Sequence, residues 1–535
     1  MKTQGQRFAF LVLAMQLACT ESPSFKSTVD AGKVKTPVAP YNGDDANPPP
    51  VKAPAPTPVQ SDVLIPLASP VPDSTVLRQI EDDIAKLNPS ETSKTRYFSL
   101  QVAKNVGASA QALTAQRNAF KKAINSISNR AALITPVAID TEKLIYRVNL
   151  DDIGLSPAEF DQVISDHYPF NNRFADIGTG DSIGNATRDT NIRGRLVSDV
   201  GLIRMDWFNA TALLPIPYKK FLRLPNTLAA FEDQFLGEDR LDNIRADDVT
   251  RIGFDNSEVA ISNRVLEVHN GKNGGFYVSY DFTQAKQGQI FSAPLGPVGT
   301  NNANRALEFQ QDHISVIATL PNGLFAYFLA NAQGVAIDKA PIAILRNAKG
   351  PNEFAFALPN GQSCASCHHA GILLHEDTLV SGISGNKQLF GSADLARINR
   401  IYQPEAFKQD VAKDNQRYLS ALKTLGISAT ETDPLDVAFR FYSRPMTRND
   451  VMLESGLTEA DLKNALFDPE FSGVLNALNS DTGTIQRSNF QSVLPNLVRK
   501  FKQDIQLIAP READFLVTSD CMVLDAVRMD GCVIN

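Results

Sequence analysis

Eleven of the chain's 31 prolines fall in one stretch, from Pro37 to Pro72, which includes Pro48-Pro49-Pro50 and Pro54-Ala55-Pro56-Thr57-Pro58. Proline supplies no backbone donor and holds φ near about −65°, so such a stretch favours an extended, solvated chain over helix or sheet. This divides the 535 residues before any periodicity is considered. Residues 20–72 read as a disordered linker, and folded structure is expected to begin near Asp73. The remainder is long enough for more than one structural unit, because a single core rarely organises more than about 300 residues.

Ahead of the linker, Lys2 and Arg7 precede an apolar run from Phe8 to Met15, and Leu17-Ala18-Cys19 follows. That is the pattern of an export signal. The run is far shorter than the roughly 20 apolar residues of a membrane-spanning helix. A Cys after a small residue at the end of such a run resembles the lipobox of bacterial lipoproteins, although Gln16 stands where that motif usually has Leu. The resemblance implies a lipoprotein-type signal over residues 1–19, a lipid on Cys19, and a periplasmic or outer-membrane location in the cell envelope. An ordinary cleaved signal is the alternative. With 43% hydrophobic residues, 21% charged residues and a net charge of −7, the chain is globular and has no basic excess for nucleic acid.

Past Asp73 the chain reads as mixed α and β up to about residue 345. Val76, Leu77, Ile80, Ile84 and Leu87 recur at helical spacing, as do Leu113, Phe120, Ile124 and Ile127. Ser156-Pro157-Ala158-Glu159 is a capping box that opens a third helix. Strand formers gather at Leu144–Leu150, Val265–Val268, Gly275–Tyr280, Ile314–Leu320 and Leu324–Leu329, the last two joined by the turn Pro321-Asn322-Gly323. Between the second and third of these runs, His269–Gly275 is a polar turn. Later the strand signals fade, and capping boxes at Thr458-Glu459-Ala460-Asp461 and Ser488-Asn489-Phe490-Gln491 mark helices. The fold class is therefore α+β: a body over 73–345, a region around the cysteine motif over 346–430, a helical region over 431–505, and a tail over 506–535.

Cys364-Ala365-Ser366-Cys367-His368 has the C-x-x-C-H spacing of covalent haem attachment. Two thiols three positions apart can bond the two vinyl groups on one edge of a porphyrin, and the adjacent imidazole can then ligate the iron. A zinc site would need a second ligand pair, and Cys521 with Cys532 is not a usual one. A redox dithiol lacks the surrounding strand-to-helix pattern. Cys521 and Cys532 are expected to form a disulfide in an oxidising compartment. Only one C-x-x-C-H occurs, which disfavours a two-haem peroxidase.

The second ligand must come from elsewhere, because His369 is a backbone neighbour of His368 and a helical His375 would lie about 10 Å along the axis. Met446, in the proline-containing segment Arg444-Pro445-Met446, resembles the distal Met that class I cytochromes c present from such a loop, with core packing of Met446 or an open distal position as the alternatives. Met452, Met205, His167, His269 and His313 are the other candidates. Trp207 reads as a core residue rather than a porphyrin contact. Asn479–Ile485 fails as a calcium loop, with Gly at the fifth position and Phe490 at the twelfth.

The blocks Arg96-Tyr97-Phe98-Ser99-Leu100, Asp206-Trp207-Phe208, Asn263-Arg264-Val265-Leu266-Glu267, Leu320-Pro321-Asn322-Gly323-Leu324 and Asp338-Lys339-Ala340-Pro341 precede the motif in that order. Together they resemble a family of large exported bacterial proteins that carry one cytochrome c-type motif and have no established reaction. The resemblance implies a cytochrome c-like, mainly helical C-terminal region, one covalent haem c with its iron, and a redox partner protein. Electron transfer in the envelope is the expected function. A haem-dependent oxidoreductase with a substrate site in the α+β body, and a haem-based sensor or scaffold, are the alternatives.

Overall fold

A computed structural model describes residues 64 and 69–501, apart from 172–173, 175–180, 256, 258, 261, 302–303, 348, 386 and 481. The signal, most of the linker, Cys19, Cys521 and Cys532 lie outside the described residues. Folded structure starts two residues before Asp73: the Val71 amide donates to Asn105 Oδ1 at 2.8 Å, and its carbonyl accepts from Gln101 at 2.7 Å.

The fold is α+β. The strands are β1 (Thr95–Ser99), β2 (Val137–Ala138), β3 (Ile145–Asn149), β4 (Ile203–Arg204), β5 (Thr250–Phe254), β6 (Arg264–Asn270), β7 (Gly275–Asp281), β8 (His313–Thr319), β9 (Phe325–Asn331), β10 (Met446–Thr447) and β11 (Thr484–Ile485). The helices that frame the site are α1 (Asp73–Ile84), α2 (Ala110–Ser126), α3 (Pro157–His167), α4 (Met205–Thr211), α5 (Leu228–Phe235), α6 (Gln362–Cys367), α7 (Pro404–Thr424), α8 (Pro434–Ser443), α9 (Arg448–Ser455), α10 (Glu459–Phe467) and α11 (Arg487–Phe501).

A first sheet has the order β2-β3-β1-β4. Its central residue Phe98 lies 4.6 Å from Phe120 of α2 and 5.0 Å from Phe208 of α4, ring centroid to centroid. The periodic apolar stripe that makes α2 a helix is thus what fixes it against the sheet. The second sheet is an antiparallel meander, β5-β6-β7-β8-β9, whose register pairs Arg264 with Asp281, Asp281 with His313 and His313 with Asn331. The turn between β8 and β9 has Gly323 at φ 86°, as Pro321-Asn322-Gly323 predicts.

Side chains alternate across this sheet. One face carries Val265, Val278, Val316 and Phe328 and packs under α5, where Phe231 stacks on Phe328 at 4.6 Å. The other face carries Leu266, Ser279, Ser315 and Leu329 in one row, and Val268, Tyr277, Ile317 and Tyr327 in the next. Leu266, Ser315 and Ile317 are only half-buried, so the middle of this second face stays partly open.

The last third is mainly helical, with the short ladder β10–β11 as its one departure among the described residues. It does not stand apart from the body. Helix α8 packs on both α2 and α4. A buried ionic cluster also crosses the junction: Arg204 of β4 reaches Asp206 at 2.5 Å and Glu454 of α9 at 2.9 Å, and Arg487 of α11 reaches Glu454 at 2.7 Å. The Thr458 capping box forms, with Asp461 as its partner. The one expected at Ser488 does not, because α11 already begins at Arg487 and leaves Ser488 inside the helix.

Candidate functional site

The cysteine motif lies on α6, a helix of six residues whose start is set by an unusual turn. Gly361 has φ 80° and ψ −79°, and the Gln362 amide donates to the Asn360 carbonyl at 3.1 Å. That is a γ-turn of the rare, strained hand, and it suits glycine alone. A Cβ at this position would also meet the Leu213 carbonyl at 2.4 Å. The chain therefore enters α6 in close contact with the end of α4.

Beneath α6 lies a buried ion pair. Lys122 of α2 bonds the carboxylate of Asp433, just before α8, and both side chains are 2% exposed. Lys122 Nζ also donates to the Ala365 carbonyl at 3.3 Å. Burial alone would lower the Lys122 pKa, but the Asp433 carboxylate more than offsets it, and the ammonium is held above its usual value. Gln362 Nε2 donates to the Leu435 carbonyl at 3.4 Å, and Phe354 packs on Phe439 at 4.7 Å. The body, the motif and α8 are thus fastened at one place.

Above the pair, Cys364 and His368 occupy positions one helical turn apart and share a face. Cys364, Cys367 and His368 are half-buried, and neither thiol is in a disulfide. Burial pushes the Cys364 thiol up to about 12, so it is a neutral thiol and lacks the thiolate of a redox dithiol. The Asn347 amide points at Cys367 Sγ from 4.0 Å. Burial, with the Arg264 charge adding to it, pushes His368 down to about 4. A half-buried imidazole so strongly desolvated sits in a recess: protein surrounds it on most sides while solvent reaches one edge.

Its orientation is fixed. His368 Nδ1 lies 3.2 Å from the Gly371 carbonyl, which only accepts, so Nδ1 carries the proton and Nε2 keeps its lone pair. Gly371 itself has φ 111° and packs against Asn415 of α7, which clasps Ile372 through both its amide and its carbonyl. Next to the His368 ring, at 6.2 Å and nearly parallel, is Tyr327 of the partly open sheet face. Tyr218 donates no such wall but caps the strand edge, accepting the Tyr327 amide at 3.0 Å. The segment after the motif runs across the same face to β5, where His375 stacks on Phe254 at 4.4 Å.

This donor set suits a covalently held porphyrin. It offers two cysteines one turn apart that are in no disulfide, a neutral imidazole with its accepting nitrogen presented, and a partly open, largely apolar wall. Among the described residues there is no group of three or more His, Cys, Asp or Glu that could hold a bare metal ion, and no helix long and apolar enough to cross a membrane.

The remaining candidates are dispersed. Met446 is fully buried in the β10–β11 ladder opposite Ile485, and Met205 is fully buried at the start of α4. Met452 is half-buried on α9, and His167 is buried at the end of α3. His269 sits on the far face of the second sheet, bonded to Glu267 at 2.7 Å. His313 is on the near face, in the row of Arg264 and Asp281. His369 bonds the Ser366 carbonyl at 3.1 Å. Trp207 is buried, with Tyr168 4.9 Å away. Sequence reasoning does not single out Lys122, Asp433 or Gly361; a Lys between Ala119 and Ala123 on an apolar helix stripe is the one signal that points to Lys122. No family model matches the chain, and no curated protein or solved structure matches it at a significant level.

Proposed function

We propose that the chain is an exported c-type cytochrome with one covalent haem, which carries electrons in the cell envelope from a lipid anchor at Cys19. Cys364 and Cys367 hold the porphyrin and His368 ligates the iron. The α6 region with the helices after it then acts as the cytochrome c-like part, and the second sheet as the wall of its pocket. The observation that carries this reading is the His368 imidazole: neutral, with Nδ1 given to the Gly371 carbonyl and Nε2 left to accept, one turn from Cys364. When bound, the haem supplies one-electron chemistry. The chain's own part is to hold the imidazole in one tautomer, to keep Cys364 as a thiol for thioether formation, and to limit water at the pocket floor.

Expression with a haem-attachment machinery tests it. Wild type should gain the mass of one haem, and Cys364→Ala/Cys367→Ala should gain none; a wild type without covalent haem refutes the reading. The anchor is tested separately, since Cys19→Ser should move the protein from the detergent phase to the aqueous phase.

A further inference from the structure

The orphaned atom at the far end of the open sheet face is His313 Nε2. The His313 side chain is fully enclosed, yet Nε2 has no hydrogen-bond partner. Leaving a buried polar nitrogen unpaired costs on the order of 1–3 kcal/mol, so it calls for a reason. The other ring nitrogen is well provided for. Nδ1 lies 3.0 Å from Asp281 Oδ2 and 3.4 Å from Ser315 Oγ. The opposite Asp281 oxygen takes Arg264 Nε at 2.5 Å, and Arg264 also reaches Ser279 Oγ at 3.1 Å. A carboxylate oxygen only accepts, so the ring nitrogen that faces it carries a proton, and Nε2 is the nitrogen left for a ligand. This carboxylate–imidazole arrangement is the one that orients metal-ligating histidines and raises their basicity.

Position supports the same conclusion. His313 shares a sheet face with Tyr327, the residue beside the His368 ring. The row of Ile317 and Tyr327 lies four residues from the row of His313 along β8, about 13 Å at the usual strand rise. The half-buried Ile317 and Ser315 line the interval. The competing histidine on this sheet, His269, points to the other face and is already engaged by Glu267. Met446 serves the β10–β11 ladder, whose main neighbour is α9, whereas α6 packs chiefly on α8 and β9.

We infer that His313 is the second axial ligand of the haem iron, oriented by Asp281, and that the protein is a bis-histidine cytochrome. The inference rests on the haem reading above. It is tested on the haem-loaded full-length protein by electron paramagnetic resonance and absorption spectroscopy. Wild type should give the low-spin ferric signal of two imidazoles. His313→Ala should turn the iron high-spin and let the ferrous form bind carbon monoxide, and added imidazole should restore the low-spin spectrum. Asp281→Asn, which keeps the ligand but weakens its orientation, should retain a low-spin spectrum and shift the midpoint potential. His375→Ala should leave the spectrum unchanged. A wild type without covalent haem overturns the haem reading and this inference together. Covalent haem with a methionine-type or high-spin wild-type spectrum, or with a His313→Ala spectrum like that of wild type, overturns this inference alone. The wild-type spectrum decides between imidazole and thioether even if His313→Ala fails to fold.

Discussion

Replacing Asp433 with Asn removes the charge that faces Lys122 beneath the motif helix. Both side chains are 2% exposed, so solvent screens the pair little. Breaking a buried ion pair from one side costs about 3–5 kcal/mol, because the remaining charge stays desolvated and unpaired. Here the Ala365 carbonyl at 3.3 Å still accepts from Lys122, which favours the lower end, about 3 kcal/mol. With a urea slope of about 3 kcal/mol per molar for a unit of this size, the unfolding midpoint should fall by about 1 M. The pH dependence is the sharper signature. With the Asp433 charge gone, burial lowers the Lys122 pKa in the folded variant below that of the unfolded chain. At alkaline pH between the two, the unfolded state binds more protons than the folded state, so the variant's stability rises with pH. The penalty is full at neutral pH and shrinks as the pH climbs toward the ordinary lysine range. The double variant Lys122→Met/Asp433→Leu, which leaves no buried charge, should recover most of the loss at every pH. Urea titrations at pH 7 and pH 9.5 on the three proteins give the answer. A cost under about 1 kcal/mol for Asp433→Asn, or a cost that does not change with pH, would refute the claim that Lys122 is a charged residue held by Asp433.

Three further outcomes are expected. The haem-free chain should lose stability as the pH falls from 6.5 toward about 4, because the folded state keeps His368 neutral while the unfolded state takes up the proton. The loss should reach about 2 kcal/mol once the partial exposure of the ring is allowed for, and His368→Gln should remove this part of the slope in a pH series of denaturation curves. Glu454→Gln should destabilise by about 3–5 kcal/mol and raise the susceptibility of the C-terminal helices to limited proteolysis, because Arg204 and Arg487 lose the carboxyl they hold well below the usual range. Gly361→Ala should cost about 2–5 kcal/mol and lower the yield of covalent haem, since it both forbids the γ-turn and drives a Cβ into the Leu213 carbonyl. Mass spectrometry and thermal unfolding measure the two effects separately.

What the sequence made legible is what short-range physics decides. The β8–β9 hairpin follows from Pro321-Asn322-Gly323 between strand formers, and α3 follows from Ser156 and Glu159, whose reciprocal bonds form as expected. The motif chemistry was equally local, since five consecutive residues carry it. The surroundings of the motif were not local. Lys122 and Asp433 are 311 positions apart, and a lysine on a helix reads as solvent-facing unless its partner is known. Helix α8 falls in the region 431–505 that reads as helical in the sequence, but an apolar helix face does not say which surface will cover it. It packs on α2 and α4, and Phe439 meets Phe354 just ahead of the motif. The row from Phe254 through Arg264 and Asp281 to His313 and Asn331 exists only through sheet register, which links five strands by backbone pairing that no single strand specifies. That is why the sequence alone favours Met446 over five other candidates on a local segment, and why only register distinguishes His313 from His269. Alternation puts His269 with Glu267 beneath α5 and puts His313 on the face that holds Tyr327, so a slip of one residue in β8 would turn His313 to the opposite face and away from Tyr327.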